Sequence, residues 1–308
     1  MNSALLFSGQ GSQYVGMGYD LLGISASAEL FERADALLEY PLTATMFNGP
    51  EDVLRETRYT QPALFVHEAA LLEASGVHNN AGAVAGHSLG EYTALFAAGV
   101  LSFSEALALV RLRGTLMFDV GVHTPGTMAA VVGLTDEQVI ALCASLNNGD
   151  TEVLVPANFN SPGQIVVSGS AEYLRSVLPQ FKAAGAKIVK ELAVSGAFHS
   201  PLLQGASAAL SAALDAATFS DARCDVYVNV SGEPLRDGNA LREAAKQQLT
   251  SPVQWTKTLH AMKANGILEY IEVGPGNVLQ GLVKRTLSDV TILGVDKLAD
   301  VQRMNALV

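Results

Sequence analysis

The sequence is poor in cysteine, in basic residues and in long apolar runs. Its 308 residues include only two cysteines, Cys143 and Cys224, which lie far apart and in no metal-ligand spacing. This scarcity argues against a disulfide framework or a zinc site and favours a reducing compartment. The 19 Lys+Arg are outnumbered by 30 Asp+Glu, giving a formal charge of −11, and no segment is rich in lysine or arginine. We therefore do not expect nucleic acid as a partner.

Hydrophobic segments are numerous but short. The hydrophobic residues make up 49 % of the chain, which is enough for a sizeable core. No segment approaches the ~20 consecutive apolar residues of a membrane span. The apolar run at the N-terminus has no positive region and ends after a few residues, so it is too short for a signal peptide. We expect a globular protein of the cytoplasm that does not associate with membranes.

Short apolar runs alternate with segments of helical period in the first part of the chain. The runs at residues 4–7 and 81–86 predict buried strands, and the first is followed at once by Gly9-Gln10-Gly11-Ser12. Helical period occurs over residues 24–75, with interruptions expected at Pro41, Pro50 and Pro62, and again over 92–98 and 105–118. Such alternation is typical of an α/β fold with a largely parallel sheet.

Residues 125–194 form a second, compact pattern. Strands are predicted at 127–134, 152–158, 164–168 and 187–194, with helices at 136–146 and 171–184. This βαββαβ order is the ferredoxin-like plan. The first rhythm then resumes, with strands at 226–230 and 268–273 and helices at 239–248 and 253–264. We therefore interpret 125–194 as an insertion into a larger unit, and the polar segment after Asp296 as the nearest approach to a tail.

A G-x-S-x-G motif, Gly86-His87-Ser88-Leu89-Gly90, lies between a predicted strand and a predicted helix. In that setting the glycines permit a sharp turn that places a serine hydroxyl at a helix N-terminus. The helix dipole and the N–H of Leu89 can there stabilise an oxyanion. A chance match in a chain with 28 glycines is the alternative; the strand before and the helix after favour a nucleophile.

A serine nucleophile needs a base to accept its proton. His199 is the best candidate, because its loop of mostly small residues directly follows a predicted strand and lies C-terminal to Ser88. The alternative for His199 is an ordinary solvated loop residue. The other histidines lie in helical stretches, in polar loops or beside the serine, where the ring would point away across the elbow: His67, His260, His78, His123 and His87.

These motifs resemble those of the malonyl-CoA:acyl carrier protein transacylases of fatty-acid synthesis and the acyltransferase domains of polyketide synthases. The resemblance runs over nearly the whole chain. It implies an α/β-hydrolase-like large subdomain at 1–124 and 195–308, with a ferredoxin-like small subdomain at 125–194. Besides the serine motif it rests on Gly9-Gln10-Gly11-Ser12-Gln13, Thr60-Gln61-Pro62-Ala63, Arg113-Gly114, Asn158-Phe159-Asn160-Ser161-Pro162-Gly163-Gln164, Gly196-Ala197-Phe198-His199, Pro252-Val253-Gln254-Trp255 and Glu272-Val273-Gly274-Pro275-Gly276.

The resemblance assigns catalytic roles. It implies that Ser88 is acylated and that His199 is the general base and later the acid. The backbone N–H groups of Gln10 and Leu89 would form the oxyanion hole. In the family a main-chain carbonyl orients the histidine, and the matching position is Gln248.

The resemblance also assigns the acyl pocket. It implies that Arg113 pairs with the free carboxylate of a malonyl group, the alternative being a solvated surface charge such as Arg111 is expected to be. Phe198 before the histidine tends to accompany malonyl, because its ring would crowd a branched acyl group. The remaining pocket candidates are Met117, for which core packing is the alternative, together with Asn160 and Gln61.

Two positions depart from the family pattern. Ser8 stands where a proline usually precedes Gly-Gln-Gly, which can loosen the turn that holds Gln10. Gly196 stands where some relatives have histidine. Neither position supplies chemistry, so the expected activity is unchanged.

The implied reaction is a ping-pong transfer of malonyl from malonyl-CoA through Ser88 to the pantetheine thiol of an acyl carrier protein, with no metal or redox cofactor. Carrier proteins are typically acidic, so docking needs a local basic patch. Two alternatives stay open: an acyl-thioester hydrolase of a polyketide assembly line and a non-catalytic module that binds a carrier protein. The sequence also leaves open a malonate-decarboxylase acyltransferase and the choice of pathway. The basic candidates for docking are Lys284, Arg285, Lys257 and Lys263.

Overall fold

The computed structural model describes residues 3–149 and 151–306, so residues 1, 2, 150, 307 and 308 of the predicted subdomains lie outside it. The strands are β1 Ser3–Phe7, β2 Ala83–Gly86, β3 Gly126–Val132, β4 Leu154–Ser161, β5 Gln164–Ser170, β6 Ile188–Glu191, β7 Asp225–Tyr227, β8 Pro234–Leu235, β9 Glu269–Val273 and β10 Thr291–Val295.

The helices are α1 Ser25–Leu38, α2 Leu42–Asn48, α3 Glu51–Leu54, α4 Thr57–Ser75, α5 Gly90–Ala97, α6 Phe103–His123, α7 Asp136–Leu146, α8 Ala171–Ala183, α9 Gln204–Ala216, α10 Gly238–Gln248, α11 Trp255–Ala264, α12 Val278–Thr286 and α13 Leu298–Asn305. Short 3₁₀ turns occur at Tyr19–Gly23, Val77–Asn80 and Pro201–Leu203. Within the described residues no helix is both long enough and apolar enough to span a bilayer.

Six of the strands form one sheet, in the order β10-β9-β1-β2-β7-β8. All neighbours are parallel except β7 and β8. The register pairs Phe7 with Gly86, so β1 and β2 end side by side. The Gly-rich turn after β1 and the serine motif after β2 therefore emerge at the same edge of the sheet, where parallel α/β folds place their sites. The predicted, largely parallel α/β fold is confirmed.

The other four strands form a separate antiparallel sheet, in the order β4-β5-β3-β6. With α7 after β3 and α8 after β5, this is the predicted βαββαβ ferredoxin-like plan. Its apolar core includes Val131, Ile165 and Phe181. The subdomain boundaries at 124/125 and 194/195 remain a prediction, although every strand of this sheet falls between them.

The helix α4 continues through Pro62, where an interruption was predicted. Proline removes one backbone donor and crowds the preceding turn, at a cost of about 3 kcal/mol in a helix interior. Nearly every side chain of α4 is buried, because the helix packs against α1, α5 and α6. That burial offsets the local cost, and the prediction of a break at Pro62 was wrong.

Several elements were not predicted: α9, α12, β10 and α13. The segment after Asp296 is largely the helix α13 rather than a tail, and its Val301 and Met304 pack into the large core. Its apolar pattern is only about two turns long, too short to stand out in a polar segment. Two predicted strands are also shorter in the structure, β6 as Ile188–Glu191 and β7 as Asp225–Tyr227.

A buried carboxyl group joins α4 to the turn after β1. Glu68 accepts hydrogen bonds from the hydroxyls of Ser8, at 2.7 Å, and of Thr93, at 2.5 Å. Burial raises the pKa of Glu68 to about 8, against the opposing effect of these hydrogen bonds. The hydroxyl of Ser8 thus ties the turn to α4, at the position where the resemblance led us to expect a proline.

Replacing Glu68 by glutamine is expected to stabilise the protein at pH 8 and to change little at pH 5. The unfolded chain releases the Glu68 proton near pH 4.5 while the folded protein retains it to about pH 8. Wild-type stability therefore falls as pH rises through this window, by up to ~1.4 kcal/mol per pH unit. Urea denaturation at pH 5, 6.5 and 8 measures the difference, with the exposed Glu32→Gln as control. Parallel pH dependences for wild type and Glu68→Gln would contradict it.

Candidate active site

Ser88 lies on a sharp turn between β2 and α5. Its φ of 55° is in the left-handed region, which is unusual for a residue with a side chain. The flanking glycines have no room for a side chain: a Cβ on Gly86 would lie 1.8 Å from the carbonyl carbon of Gly90, and one on Gly90 would lie 2.3 Å from the oxygen of Phe7. The two glycines therefore let the turn close against the neighbouring strand and present Ser88 at the sheet edge.

The hydroxyl of Ser88 is paired with His199. Its Oγ lies 2.7 Å from Nε2 of His199, and Nδ1 of the same ring lies 3.0 Å from the backbone oxygens of Gln248 and Ser251. Because both oxygens can only accept, Nδ1 carries the proton and Nε2 is left to accept from the serine. Within residues 3–149 and 151–306 no carboxylate bonds this ring, so backbone carbonyls orient the histidine.

The surroundings of His199 favour its neutral form. Burial is the main cause, and the positive charge of Arg113 adds to it, so that the pKa of His199 is lowered to about 3. The hydrogen bonds to the two carbonyls oppose this shift. His199 is therefore neutral near pH 7 and able to accept a proton.

The predicted oxyanion donors lie on the two loops that leave β1 and β2, and both residues line the same cavity. A Cβ on Gly9 would lie 2.7 Å from the backbone oxygen of His87, so a glycine is required where the loops meet. Across the described part of the chain, the backbone N–H groups of Gln10 and Leu89 have no hydrogen-bond acceptor. They are thus available to a ligand. The side chain of Gln10 turns elsewhere and donates to Thr57 at 3.1 Å.

Arg113 is buried, with 1 % of its surface exposed, whereas Arg111 is exposed as expected. Nη1 of Arg113 donates to Oε1 of Gln61 at 2.8 Å. Nη2 of Arg113 lies 3.0 Å from Oγ of Ser88 and 3.1 Å from Oε1 of Gln248. Its Nε has no partner, and none of the described carboxylates forms an ion pair with it. All the hydrogen-bond partners of this guanidinium are neutral, and an unpaired buried charge is costly, so the side chain is able to bind an anionic group.

A cavity of about 320 Å³ lies in front of Ser88 and is walled by both sheets. Every predicted pocket residue lines it, and Gln61 also donates to the sulfur of Met117 at 3.1 Å. Oδ1 of Asn160 lies 2.8 Å from Nε2 of His87. We expected the His87 ring to point away across the elbow, but this residue also lines the cavity. The lining residues that carry the argument are Gln10, Gln61, Ser88, Leu89, Arg113, Met117, Asn160, Phe198, His199 and Arg285.

Sequence reasoning missed the backbone oxygen of Ser251, which also accepts from His199, and the roles of two side chains. The side chain of Gln248, expected to act only through its carbonyl, also donates from Nε2 to the backbone oxygen of Ser88 at 2.8 Å. Asn229, not singled out at all, holds the Ser88 turn through its amide. The available signal for Asn229 was a polar residue within the apolar run of the strand predicted at 226–230, but the pairing of that strand with β2 could not be read from the sequence.

The remaining candidates lie at or beyond the cavity border. Of the basic residues considered for docking, Arg285 lines the cavity, Lys284 and Lys257 are exposed, and Lys263 donates to the backbone oxygen of Ser288. Cys143 and Cys224 are buried and outside the cavity lining. In the ranges that the structure describes, no cluster of three or more His, Cys, Asp or Glu could hold a metal ion.

The fold and the site together define an enzyme of the serine acyl-transfer class: an α/β sheet with a serine and a histidine at its strand ends, beside a cavity containing a buried cation. The family model described as "Acyl transferase domain" matches residues 4–305, and the chain belongs to that family. The resemblance inferred from the motifs is thereby confirmed.

Several known proteins are similar to this chain over nearly its whole length. The chain is 41 % identical over 304 residues to the malonyl CoA-acyl carrier protein transacylase of Staphylococcus aureus strain MSSA476, with 98 % of each chain covered. Among solved structures it is similar to an acyl carrier protein S-malonyltransferase from Vibrio cholerae O1 biovar eltor str. N16961, with a TM-score of 0.93, 37 % identity and coverage of 98 % and 99 %. It is also similar to a malonyl-transacylase in complex with its type II PKS acyl-carrier protein, with a TM-score of 0.94, 36 % identity and 99 % coverage of both chains.

Proposed function

We propose that this protein transfers a malonyl group from malonyl-CoA to the pantetheine thiol of an acyl carrier protein through a malonyl ester on Ser88. The observation that carries the proposal is the buried guanidinium of Arg113, which lies 3.0 Å from the serine oxygen and has no acidic partner among the described residues. A malonyl thioester offers the reacting carbonyl and a free carboxylate in one small group. An ordinary fatty-acyl chain would leave the arginine unpaired.

In the first half-reaction Oγ of Ser88 attacks the thioester carbonyl while Nε2 of His199 accepts the hydroxyl proton. The negative charge that develops on the carbonyl oxygen is stabilised by the N–H groups of Gln10 and Leu89. The carbon–sulfur bond then breaks, and His199 returns the proton to the leaving sulfur. The products of this step are malonyl-Ser88 and free CoA.

The second half-reaction runs the same chemistry with the carrier thiol as nucleophile. His199 accepts the thiol proton, and the sulfur attacks the ester carbonyl in the same oxyanion hole. The ester carbon–oxygen bond breaks, and the proton passes from His199 to Oγ of Ser88. The serine is restored and the carrier holds the malonyl thioester. We propose that no metal or redox cofactor takes part in either half-reaction.

Arg113 couples substrate recognition to the basicity of His199. In the free protein it donates to Ser88 and its charge lowers the pKa of His199. A malonyl carboxylate paired with Arg113 would neutralise that charge and raise the pKa of the base in the complex. Phe198, Met117 and Gln61 line the same cavity, where the ring of Phe198 would crowd a branched acyl group.

We also propose where the carrier approaches and where the protein acts. Arg285 is exposed and lines the cavity border, next to Lys284, so this pair can meet acidic groups of a carrier protein or the phosphates of CoA. The site would bind only the malonyl group and the pantetheine thiol, so the proposal covers carriers of fatty-acid and polyketide synthesis alike. The protein would act in the cytoplasm without membrane association.

Intact-mass spectrometry tests this function. After brief mixing with malonyl-CoA, we expect a malonyl adduct on the wild type that is absent from Ser88→Ala and that moves to an added acyl carrier protein. An adduct that is lost to water at the same rate with and without the carrier would identify a hydrolase instead. No adduct from malonyl-CoA, methylmalonyl-CoA or acetyl-CoA would leave only a carrier-binding role.

A further inference from the structure

The turn that carries Ser88 is held by the side-chain amide of Asn229, which follows β7. This amide accepts from the backbone N–H of Ser88 at 2.7 Å through Oδ1 and donates to the backbone oxygen of Gly86 at 2.7 Å through Nδ2. The two bonds bridge the residues on either side of His87. One planar amide therefore fixes both ends of the bend.

Asn229 is itself held on every side. It is 1 % exposed, its N–H donates to Oε2 of Glu91 at 2.5 Å, and its carbonyl accepts from the N–H of Gln254 at 2.8 Å. Glu91 belongs to the first turn of α5, which begins at Gly90, two residues after the serine. The bridge thus joins the strand before Ser88, the helix after it and the chain that leaves β7.

The left-handed backbone of Ser88 explains why such a bridge is needed. A residue with a side chain at φ 55° is strained and persists only where its surroundings hold it. The N–H of Ser88 faces Asn229, while its carbonyl accepts from Nε2 of Gln248 at 2.8 Å. Two side-chain amides from separate elements therefore hold the two peptide groups of the nucleophile.

We propose that Asn229, anchored by Glu91, is a positioning residue that sets the distance and direction of the Ser88 hydroxyl toward His199 and the thioester. This inference rests on the proposed function, because its readout is the acylation of Ser88. Asn229 does not line the cavity, so it acts through the serine turn and not through contact with the acyl group.

The test uses Asn229→Ala and Asn229→Asp, with rapid-quench intact-mass measurement of the malonylation rate of folded protein. Misplacement of a reacting atom by about 1 Å costs on the order of 10²-fold in rate. We expect Asn229→Ala to be slowed by that factor at saturating malonyl-CoA, with KM changed less than about threefold. Val301→Ala, which removes buried apolar volume on α13 away from the cavity, controls for loss of stability alone and should retain the wild-type rate per folded molecule.

Asn229→Asp supplies a pH-dependent rescue. A neutral aspartic acid has one acceptor and one donor, enough for the two bonds that the Asn229 side chain makes, whereas its carboxylate would face the oxygen of Gly86 without a proton to donate. The other groups around it that titrate or carry charge are Glu91, Arg113, His199 and His87. Dividing each rate by the wild-type rate at the same pH removes the part of their effect that the variant shares with the wild type. The relative rate of Asn229→Asp should rise as pH falls from 8 to 5, while that of Asn229→Ala stays constant.

The possible results distinguish a failure of the positioning role of Asn229 from a failure of the proposed malonyl transfer. Wild-type protein that takes no malonyl group would refute the proposed function. Wild-type acylation with an unimpaired Asn229→Ala, or with Asn229→Asp showing no rescue at low pH, would overturn the positioning role and leave the function standing.

Discussion

Replacing His199 by alanine is expected to lower the rate of Ser88 malonylation by about 10⁴-fold or more, the range seen when a serine nucleophile loses its base. The variant keeps the serine, the oxyanion donors and Arg113, so malonyl-CoA should still bind. The loss should therefore appear in the rate at saturating malonyl-CoA, measured by rapid-quench mass spectrometry. His78→Ala, a histidine outside the cavity lining, is the matched control. A His199→Ala rate within tenfold of wild type would mean that another group accepts the proton.

The pH dependence of wild-type acylation adds a sharper test of the same residue. Protonation of His199 removes the base, and its pKa in the free protein is lowered to about 3 by burial and by Arg113. The acidic limb of kcat/KM, which reports the free enzyme, should therefore lie well below pH 6.5. The limb of kcat should lie at higher pH, because the bound malonyl carboxylate offsets the charge of Arg113. Coincident limbs near pH 6.5 would contradict this description.

The strand and helix pattern around the nucleophile could be predicted because its signals are local. A short apolar run, a glycine on each side of Ser88 and a helical period after Gly90 follow one another between residues 81 and 98. Each leaves a pattern among residues that are close together in the sequence. The same holds for the βαββαβ order of 125–194. Short elements in polar segments, such as α13, have too few periodic positions to be recognised.

Contacts between distant parts of the chain explain what sequence reasoning missed. Asn229 reaches Ser88 across 141 positions, and Gln248 reaches it across 160. Glu68 meets Ser8 across 60 positions, as a buried carboxyl on a helix that reads as ordinary core. None of these pairings has a local pattern, since they depend on which strands and helices become neighbours in the fold. For Gln248, the family resemblance predicted the role of the backbone carbonyl but not the hydrogen bond of the side chain to Ser88.

Replacing Arg113 by alanine is expected to slow malonylation by roughly 10²–10⁴-fold, since removing one partner of a buried ion pair costs about 3–5 kcal/mol. The rate of acylation by acetyl-CoA should not fall, because an acetyl group has no carboxylate that pairs with Arg113. In Arg113→Ala, the hydrogen bond to Ser88 and the charge that lowers the pKa of His199 are also lost. The change should thus be a loss of preference between the two donors. Arg111→Ala, an exposed arginine two positions away on the same helix, is the control.

Formate can test whether the charge of Arg113 restrains the serine and histidine until a carboxylate arrives. Acetyl-CoA and formate together supply the two halves of a malonyl group, so formate should accelerate acetylation of the wild type and have no effect on Arg113→Ala. Arg113→Lys retains the charge but not the bidentate geometry, and should respond to formate more weakly than wild type. If formate leaves wild-type acetylation unchanged while Arg113→Ala still loses malonylation, the arginine binds the carboxylate without controlling the base. Equal malonylation by Arg113→Ala and wild type would remove the arginine from the acyl site altogether.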